Sequence, residues 1–242
     1  MSRRILALVI LLSIGLLSAD AAGAAERNVI GRSVEGRPIV AWRQGDPHPR
    51  MRVLVVGSVH GDERQGMRVV SRARRILARQ GAPEGVAFWT VKTSNPDGTL
   101  AGTRGNARGV DLNRNFPYRW DGGLSGGYES GPRPASEPET RTVMRLTRRV
   151  SFDLAIWFHQ PWGRTLAPCN RDRRWAFLYA RLSGLGTGGG CDRNRYPGSA
   201  VSWQHHAAGT VAFVVELGPR VQARSTVARH ARAAIRLARR MV

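Results

Sequence analysis

Three apolar runs in this 242-residue sequence end beside an ionisable side chain: Val59 leads to His60, Phe158 to His159 and Val215 to Glu216. His60-Gly61-Asp62-Glu63 adds a carboxylate three residues after the first imidazole. Two imidazoles and one carboxylate, with a fourth position left open to water, compose a catalytic zinc set. Taken singly the signals are weak. A histidine at a strand end is more often a hydrogen-bonded packing residue than a ligand, and a lone strand-end glutamate is most often a salt-bridge partner. They gain force beside the segment Gly109-Val110-Asp111-Leu112-Asn113-Arg114-Asn115-Phe116-Pro117.

Such residues converge only if the chain between them forms alternating strands and helices. Arg37 to Trp42 reads as an opening strand and Met51 to Val59 as a buried one. A helix follows from about Glu63 to Gln80, with Met67, Val70, Ile76 and Leu77 on its apolar side and Gly81 at its end. Val86 to Thr93 is a third strand, closed by the turn Asn95-Pro96-Asp97-Gly98. Gly98 to Gly131 reads as a long surface loop, and Ser136-Glu137-Pro138-Glu139 as a capping box opening a helix to about Arg149. Phe152 to Phe158 and Thr210 to Leu217 are two more buried strands, and Ser225 begins a closing helix with Val227, Ala234, Ile235 and Leu237 as its apolar stripe. The expected fold class is α/β: a single domain with a mixed, largely parallel sheet and helices on both faces. In such sheets ligands bind beyond the carboxyl ends of the strands, where the three runs terminate.

Composition narrows the class further. Hydrophobic residues make up 42% and charged residues 23%, which excludes wholesale disorder, collagen and multi-span membrane architectures. Lysine plus arginine number 38 against 17 acids, a formal charge of +21, and Lys92 is the single lysine. That charge favours polyanionic surroundings, an anionic cell wall before any specific nucleic acid, while arginines spread along the chain also suit solvated faces. Arg3 and Arg4 precede an apolar run from Ile5 to Leu17 and the small-residue stretch Ala21 to Ala25. Residues 1–25 therefore read as a secretory signal peptide, leaving 26–242 as the catalytic domain with no membrane span after cleavage. The expected location is secreted, periplasmic or cell-wall associated. Cys169 and Cys191 make an even count in an exported chain and suggest one disulfide, worth roughly 3 kcal/mol in the chain-entropy model, against the alternative of two free thiols.

The motifs together resemble the zinc carboxypeptidase family of metallopeptidases. The matching residues run in order: Gly31-Arg32-Ser33 with Gly36-Arg37-Pro38, His60 to Glu63, Asn95 to Gly98, Gly102-Thr103-Arg104, Asp111 to Pro117, His159, and Trp203 with Glu216. They span most of the domain and look most like the bacterial murein-peptide amidase branch. The resemblance implies one Zn2+ held by His60, Glu63 and His159, with Glu216 as general base. It implies that Asn113 and Arg114 hold a substrate carboxylate, a task for which a guanidinium supplies a planar fork, and that Arg104 stabilises the oxyanion. Tyr196, in Tyr196-Pro197-Gly198-Ser199, is the counterpart of the family's mobile tyrosine at a shorter spacing than in the digestive enzymes, and Arg108, in the same loop as Arg104, is left unassigned.

The resemblance further implies that Val201 or a neighbour lines the side-chain pocket, with no acid there to receive a terminal Lys or Arg. The expected substrate is then a peptidoglycan stem peptide, cleaved between γ-D-glutamate and diaminopimelate, whose extra carboxylate is expected to meet one of Arg171, Arg193 or Arg195, none of them singled out. Two alternatives stand beside this reading. One is a zinc N-acyl amino acid deacylase of the succinylglutamate desuccinylase and aspartoacylase type, which export disfavours. The other is a cationic cell-wall-binding protein without activity, which the retained His60, Glu63, His159 and Glu216 disfavour.

Overall fold

The structure is a computed structural model and describes residues 25–166, 172–188 and 196–242. Residues 1–24 of the expected leader, both cysteines (Cys169 and Cys191) and Arg171, Arg193 and Arg195 lie outside the described residues.

Eight strands among the described residues form one sheet: β1 (Glu26–Arg32), β2 (Pro38–Gly45), β3 (Met51–Val56), β4 (Val86–Val91), β5 (Leu154–His159), β6 (Arg164–Leu166), β7 (Gly186–Gly188) and β8 (Val211–Glu216). Their order is β1-β2-β4-β3-β5-β8-β6-β7. The central four, β4-β3-β5-β8, are mutually parallel. β2 joins β4 and β6 joins β8 in antiparallel fashion, which makes the sheet mixed as expected. The helices are α1 (Gln65–Gln80), α2 (Pro96–Ala101), α3 (Pro138–Val150), α4 (Arg173–Ser183), α5 (Ala200–Ala208) and α6 (Arg224–Met241).

The central strands read as near-continuous apolar runs because both of their faces are covered. Alternate side chains of β3 and β5, Val53, Val55, Ile156 and Phe158, pack beneath α1, α4 and α6. The intervening set, Leu54, Val56, Ala155 and Trp157, packs against α3 and α5. Leu54 and Ile156 are fully buried, and each such side chain contributes about 1.5–3 kcal/mol through area removed from water.

Several local expectations are corrected. β3 stops at Val56, so His60 lies in a turn four residues beyond the strand. Asn95-Pro96-Asp97-Gly98 is the first turn of α2, because the Asn95 side chain accepts from the Gly98 amide at 2.9 Å and caps a helix. The capping box does not form: α3 starts one residue later on Glu137, and the Ser136 hydroxyl donates to the Glu137 carboxylate instead. The stretch from Gly98 to Gly131 is only partly surface loop, since Asn106, Asp111 and Leu112 to Phe116 are buried beneath it.

Candidate functional site

The carboxyl edge of the parallel strands brings the distant motifs together. After β3 the chain turns back on itself, the Glu63 amide donating to the His60 carbonyl at 3.2 Å, and α1 begins at Gln65. Gly61 is required here: a Cβ at that position would meet the Gly98 backbone at 1.9 Å, so any side chain would push α2 away from the turn. His159 is the last residue of β5 and lies in register with Glu216, the last of β8. Parallel pairing thus sets these two side by side across adjacent strands.

Glu63 forks between the two imidazoles. Its Oε1 lies 2.9 Å from His60 Nδ1 and its Oε2 3.0 Å from His159 Nδ1. The three ligand atoms fall within 4.8 Å of one another, and all three side chains are buried. On its far side His60 Nε2 meets Asp111 Oδ1 at 2.9 Å. Burial works against a protonated His60, but the carboxylates of Asp111 and Glu63 outweigh it and push the imidazole up to about 9. Burial would likewise raise Glu63, yet the His159 and His60 imidazoles hold it well below the usual carboxylate range. Two nitrogens and a carboxylate meeting at one point, with an oriented histidine behind them, suit a divalent transition metal such as zinc, whose ligating histidines are characteristically held by a second carboxylate.

Asp111 ties the site together. Its Oδ1 also accepts from the Asn113 amide at 2.8 Å and so caps the 3-10 turn Leu112–Arg114, while its Oδ2 receives Arg104 Nε and Nη2 at 3.0 and 2.8 Å. Arg104 Nη1 reaches Glu63 at 3.3 Å. Asn95 positions the Arg104 segment, its Nδ2 donating to the Arg104 and Gly105 carbonyls. Asn113 Oδ1 accepts from the Ala200 amide at the start of α5, and Arg114 Nη1 donates to the Asn113 carbonyl. The Arg114 guanidinium lies 5.5 Å from the ring centres of both Tyr128 and Tyr196. Gly198, with φ +63, lets the Tyr196 loop press against the Arg114 backbone, where a Cβ would come within 2.1 Å of the carbonyl oxygen.

Glu216 is buried, and its Oε2 has no hydrogen-bond partner among the described residues. Burial, reinforced by the nearby Glu63 carboxylate, pushes it up to about 7. A carboxyl group poised near neutrality beside a metal-type donor set is suited to taking and returning a proton.

The expected site residues His60, Glu63, Arg104, Asn113, Arg114, His159, Tyr196 and Glu216 all line one cleft of about 800 Å³. Val201 lines it too, whereas Trp203 is buried behind it against Phe116. Arg108 turns away to Glu137. Sequence reasoning passed over two residues. Asp111 stood inside the quoted motif but carried no assigned role, and Tyr128 sits in a glycine-rich loop with nothing around it to mark it.

The sequence profile described as "Zinc carboxypeptidase" matches residues 13–227. Murein peptide amidase A of Escherichia coli (strain K12) is 35% identical over 147 residues, covering 54% of this chain and 57% of that protein. Its counterpart in Vibrio campbellii is 28% identical over 155 residues, covering 59% and 60%. The chain thus spans a little over half the length of the curated relatives it matches. The crystal structure of murein-tripeptide amidase MpaA from Escherichia coli O157 superposes with a TM-score of 0.66 at 26% identity, over 90% of this chain and 94% of that one. Carboxypeptidase A from Helicoverpa armigera, at 17% identity, shares the fold with a TM-score of 0.74 over 89% and 68%. The family profile covers most of the chain, and the chain belongs to the zinc carboxypeptidase family.

Proposed function

We propose that this chain is an exported, zinc-dependent metallocarboxypeptidase or amidase that hydrolyses an amide bond next to a free carboxylate in peptidoglycan stem peptides, between γ-D-glutamate and diaminopimelate. The observation that carries the reading is the meeting of the His60, Glu63 and His159 donors with Glu216, whose Oε2 is unpartnered among the described residues, and the Arg104 and Arg114 guanidiniums in one cleft. Two murein peptide amidases and a murein-tripeptide amidase structure among the similar proteins support the substrate class. The stretch from Arg3 to Ala25 supports export, and with the excess of arginine it supports a secreted, periplasmic or wall-associated location.

His60 Nδ1, Glu63 and His159 Nδ1 would hold one zinc ion, and Asp111 would fix the His60 ring. When bound, zinc supplies a Lewis acid that polarises the scissile carbonyl and acidifies water. Glu216 accepts the proton of the attacking water as its oxygen joins the carbonyl carbon. It returns that proton to the nitrogen as the C–N bond breaks, leaving a carboxylic acid and an amine. Arg114, with Asn113 beside it, grips the substrate carboxylate through a two-bond fork, and Tyr196 closes over that arginine. Arg104 places positive charge where the carbonyl oxygen becomes negative. Leu166, Val201 and Val214 give the cleft an apolar wall.

Incubation of the zinc-loaded protein with defined muropeptides, read by mass spectrometry, tests the reading. Release of a diaminopimelate-containing fragment from a γ-D-glutamyl-linked tripeptide is expected. Intact tripeptide, together with cleavage of N-acyl amino acids, would move the chain to the deacylase class.

A further inference from the structure

The excess positive charge is not spread evenly over the fold. α1, α4 and α6 carry fourteen arginines and not one aspartate or glutamate. These are the three helices that cover one face of the sheet, with α6 packed between α1 and α4. On α6, Arg229, Arg232, Arg236 and Arg240 recur every three or four residues, and all are exposed. On α1, Arg75 and Arg79 are exposed likewise, whereas Arg68 and Arg72 are half-buried, Arg68 donating to Gln65 and to the Gln222 carbonyl. The apolar residues between them face the sheet, so the guanidiniums form outward stripes. Arg74 is set apart, bonded to Thr90 and stacked near Trp42. Among the described residues, no ion pair involves an arginine of these three helices.

A one-sign face of this kind weakens the fold through self-repulsion. The opposite face is less densely charged: α3 carries four arginines, with Glu139 buried beneath it, and α5 carries none. At 1.5 Å per residue the 18 residues of α6 span about 27 Å, and three helices side by side at 8–10 Å spacing make a plane of roughly equal width. The charge is two-dimensional.

We propose that the α1, α6 and α4 face is a docking surface for an anionic phospholipid bilayer, its arginines engaging the plane of headgroup phosphates. Guanidiniums match phosphate oxygens through paired hydrogen bonds. A flat array of headgroups meets all three helices at once, whereas a linear polyanion follows a groove or a single stripe. Single-stranded nucleic acid would need aromatic platforms between the cations, and Phe177 is the one strongly exposed ring on these helices. The orientation is compatible with catalysis. α1 begins two residues after Glu63 and α6 begins shortly after Glu216, so the helices run back from the edge that holds the cleft. A bilayer against their sides leaves the cleft open. This inference concerns a face remote from the cleft and stands whether or not the proposed peptidase activity is correct.

The test is co-sedimentation of the full chain with vesicles at physiological ionic strength, comparing phosphatidylglycerol–phosphatidylcholine mixtures with phosphatidylcholine alone. The neutral vesicles report any contribution of the apolar segment from Ile5 to Leu17, which wild type and variant share. The variant carries Arg229→Gln, Arg232→Gln, Arg236→Gln and Arg240→Gln. Each arginine near an anionic surface is worth roughly fivefold in partition, so the variant, with four removed, should lose roughly 600-fold of its affinity for the anionic vesicles. Its binding to neutral vesicles and its hydrolysis of soluble substrate should not change, and its melting temperature should stay the same or rise as self-repulsion is relieved. Equal binding of wild type and variant to anionic vesicles would overturn the proposal. So would duplex DNA displacing the wild type from vesicles at equal phosphate concentration, which would make nucleic acid the occupant.

Discussion

Replacing Asp111 with asparagine keeps the side chain's shape and removes one of its two acceptor oxygens. In the structure Oδ1 serves His60 Nε2 at 2.9 Å and the Asn113 amide at 2.8 Å, and Oδ2 serves Arg104 at 3.0 and 2.8 Å. An asparagine has to turn its NH2 toward one of these groups. Facing His60, it forces the ring proton onto Nδ1, the nitrogen aimed at Glu63, and so blocks a ligand position. Facing Arg104, it sets donor against donor and leaves a guanidinium without its counter-charge. Either outcome disturbs the donor set, and loss of such a supporting partner typically costs about 10–100-fold in metal affinity, or about 1.4–2.7 kcal/mol. Titration of apo wild type and Asp111→Asn with zinc against a chromophoric chelator measures the difference, and circular dichroism checks that both are folded. Zinc affinity in Asp111→Asn within twofold of wild type would refute the reasoning.

Other substitutions separate binding, catalysis and folding. His60→Ala or His159→Ala should abolish stoichiometric zinc binding, because two remaining ligands do not hold a catalytic ion; full occupancy by metal analysis in either variant contradicts the donor set. Arg114→Lys should leave zinc content unchanged while raising KM or lowering kcat on carboxylate-bearing substrates, since a point charge replaces a planar fork; unaltered kinetics on all of them removes Arg114 from the site. His230 supplies a pH test away from the cleft: it is buried, its Nδ1 lies 2.9 Å from the Tyr179 hydroxyl, and burial and then Arg229 lower it to about 4. Between pH 6.5 and 4 the unfolded chain therefore binds a proton that the folded chain refuses. Its contribution is present above pH 6.5 and is lost as the pH falls toward 4, by about 3 kcal/mol. Urea unfolding across that range should show a shallower acid loss in His230→Gln, and an identical loss in both proteins would exclude His230 as its cause.

The parts of the fold legible in the sequence were those whose signal is local. β3, β5 and β8 are buried on both faces and betray themselves as unbroken apolar runs. α1 and α6 carry clear stripes. β1 was missed because it is a largely exposed edge strand with a polar sequence, and β6 and β7 because three residues hold no periodicity. α4 and α5 went unassigned, α5 because AVSWQHHAA has little separation of apolar and polar faces. At the site, His159 and Glu216 were readable as residue types at strand ends, and His60 and Glu63 as a histidine and carboxylate three residues apart just past a strand; the convergence follows from parallel pairing. The double grip of Asp111 on His60 and Arg104, and the approach of Tyr128 to both arginines, depend on how a long loop folds back over the sheet edge. No local pattern encodes that.

The central claim is that Glu216 moves the proton in an amide hydrolysis performed beside the His60, Glu63 and His159 donors. Glu216→Gln preserves shape and hydrogen bonding but cannot accept a proton from water. Zinc content, melting temperature and kcat on a γ-D-glutamyl-diaminopimelate substrate, measured on one preparation, test it directly. The account predicts wild-type zinc content, an unchanged or slightly higher melting temperature, and a fall in kcat of roughly 10²-fold to 10⁴-fold. A zinc-loaded, folded Glu216→Gln protein turning over at the wild-type rate would contradict it.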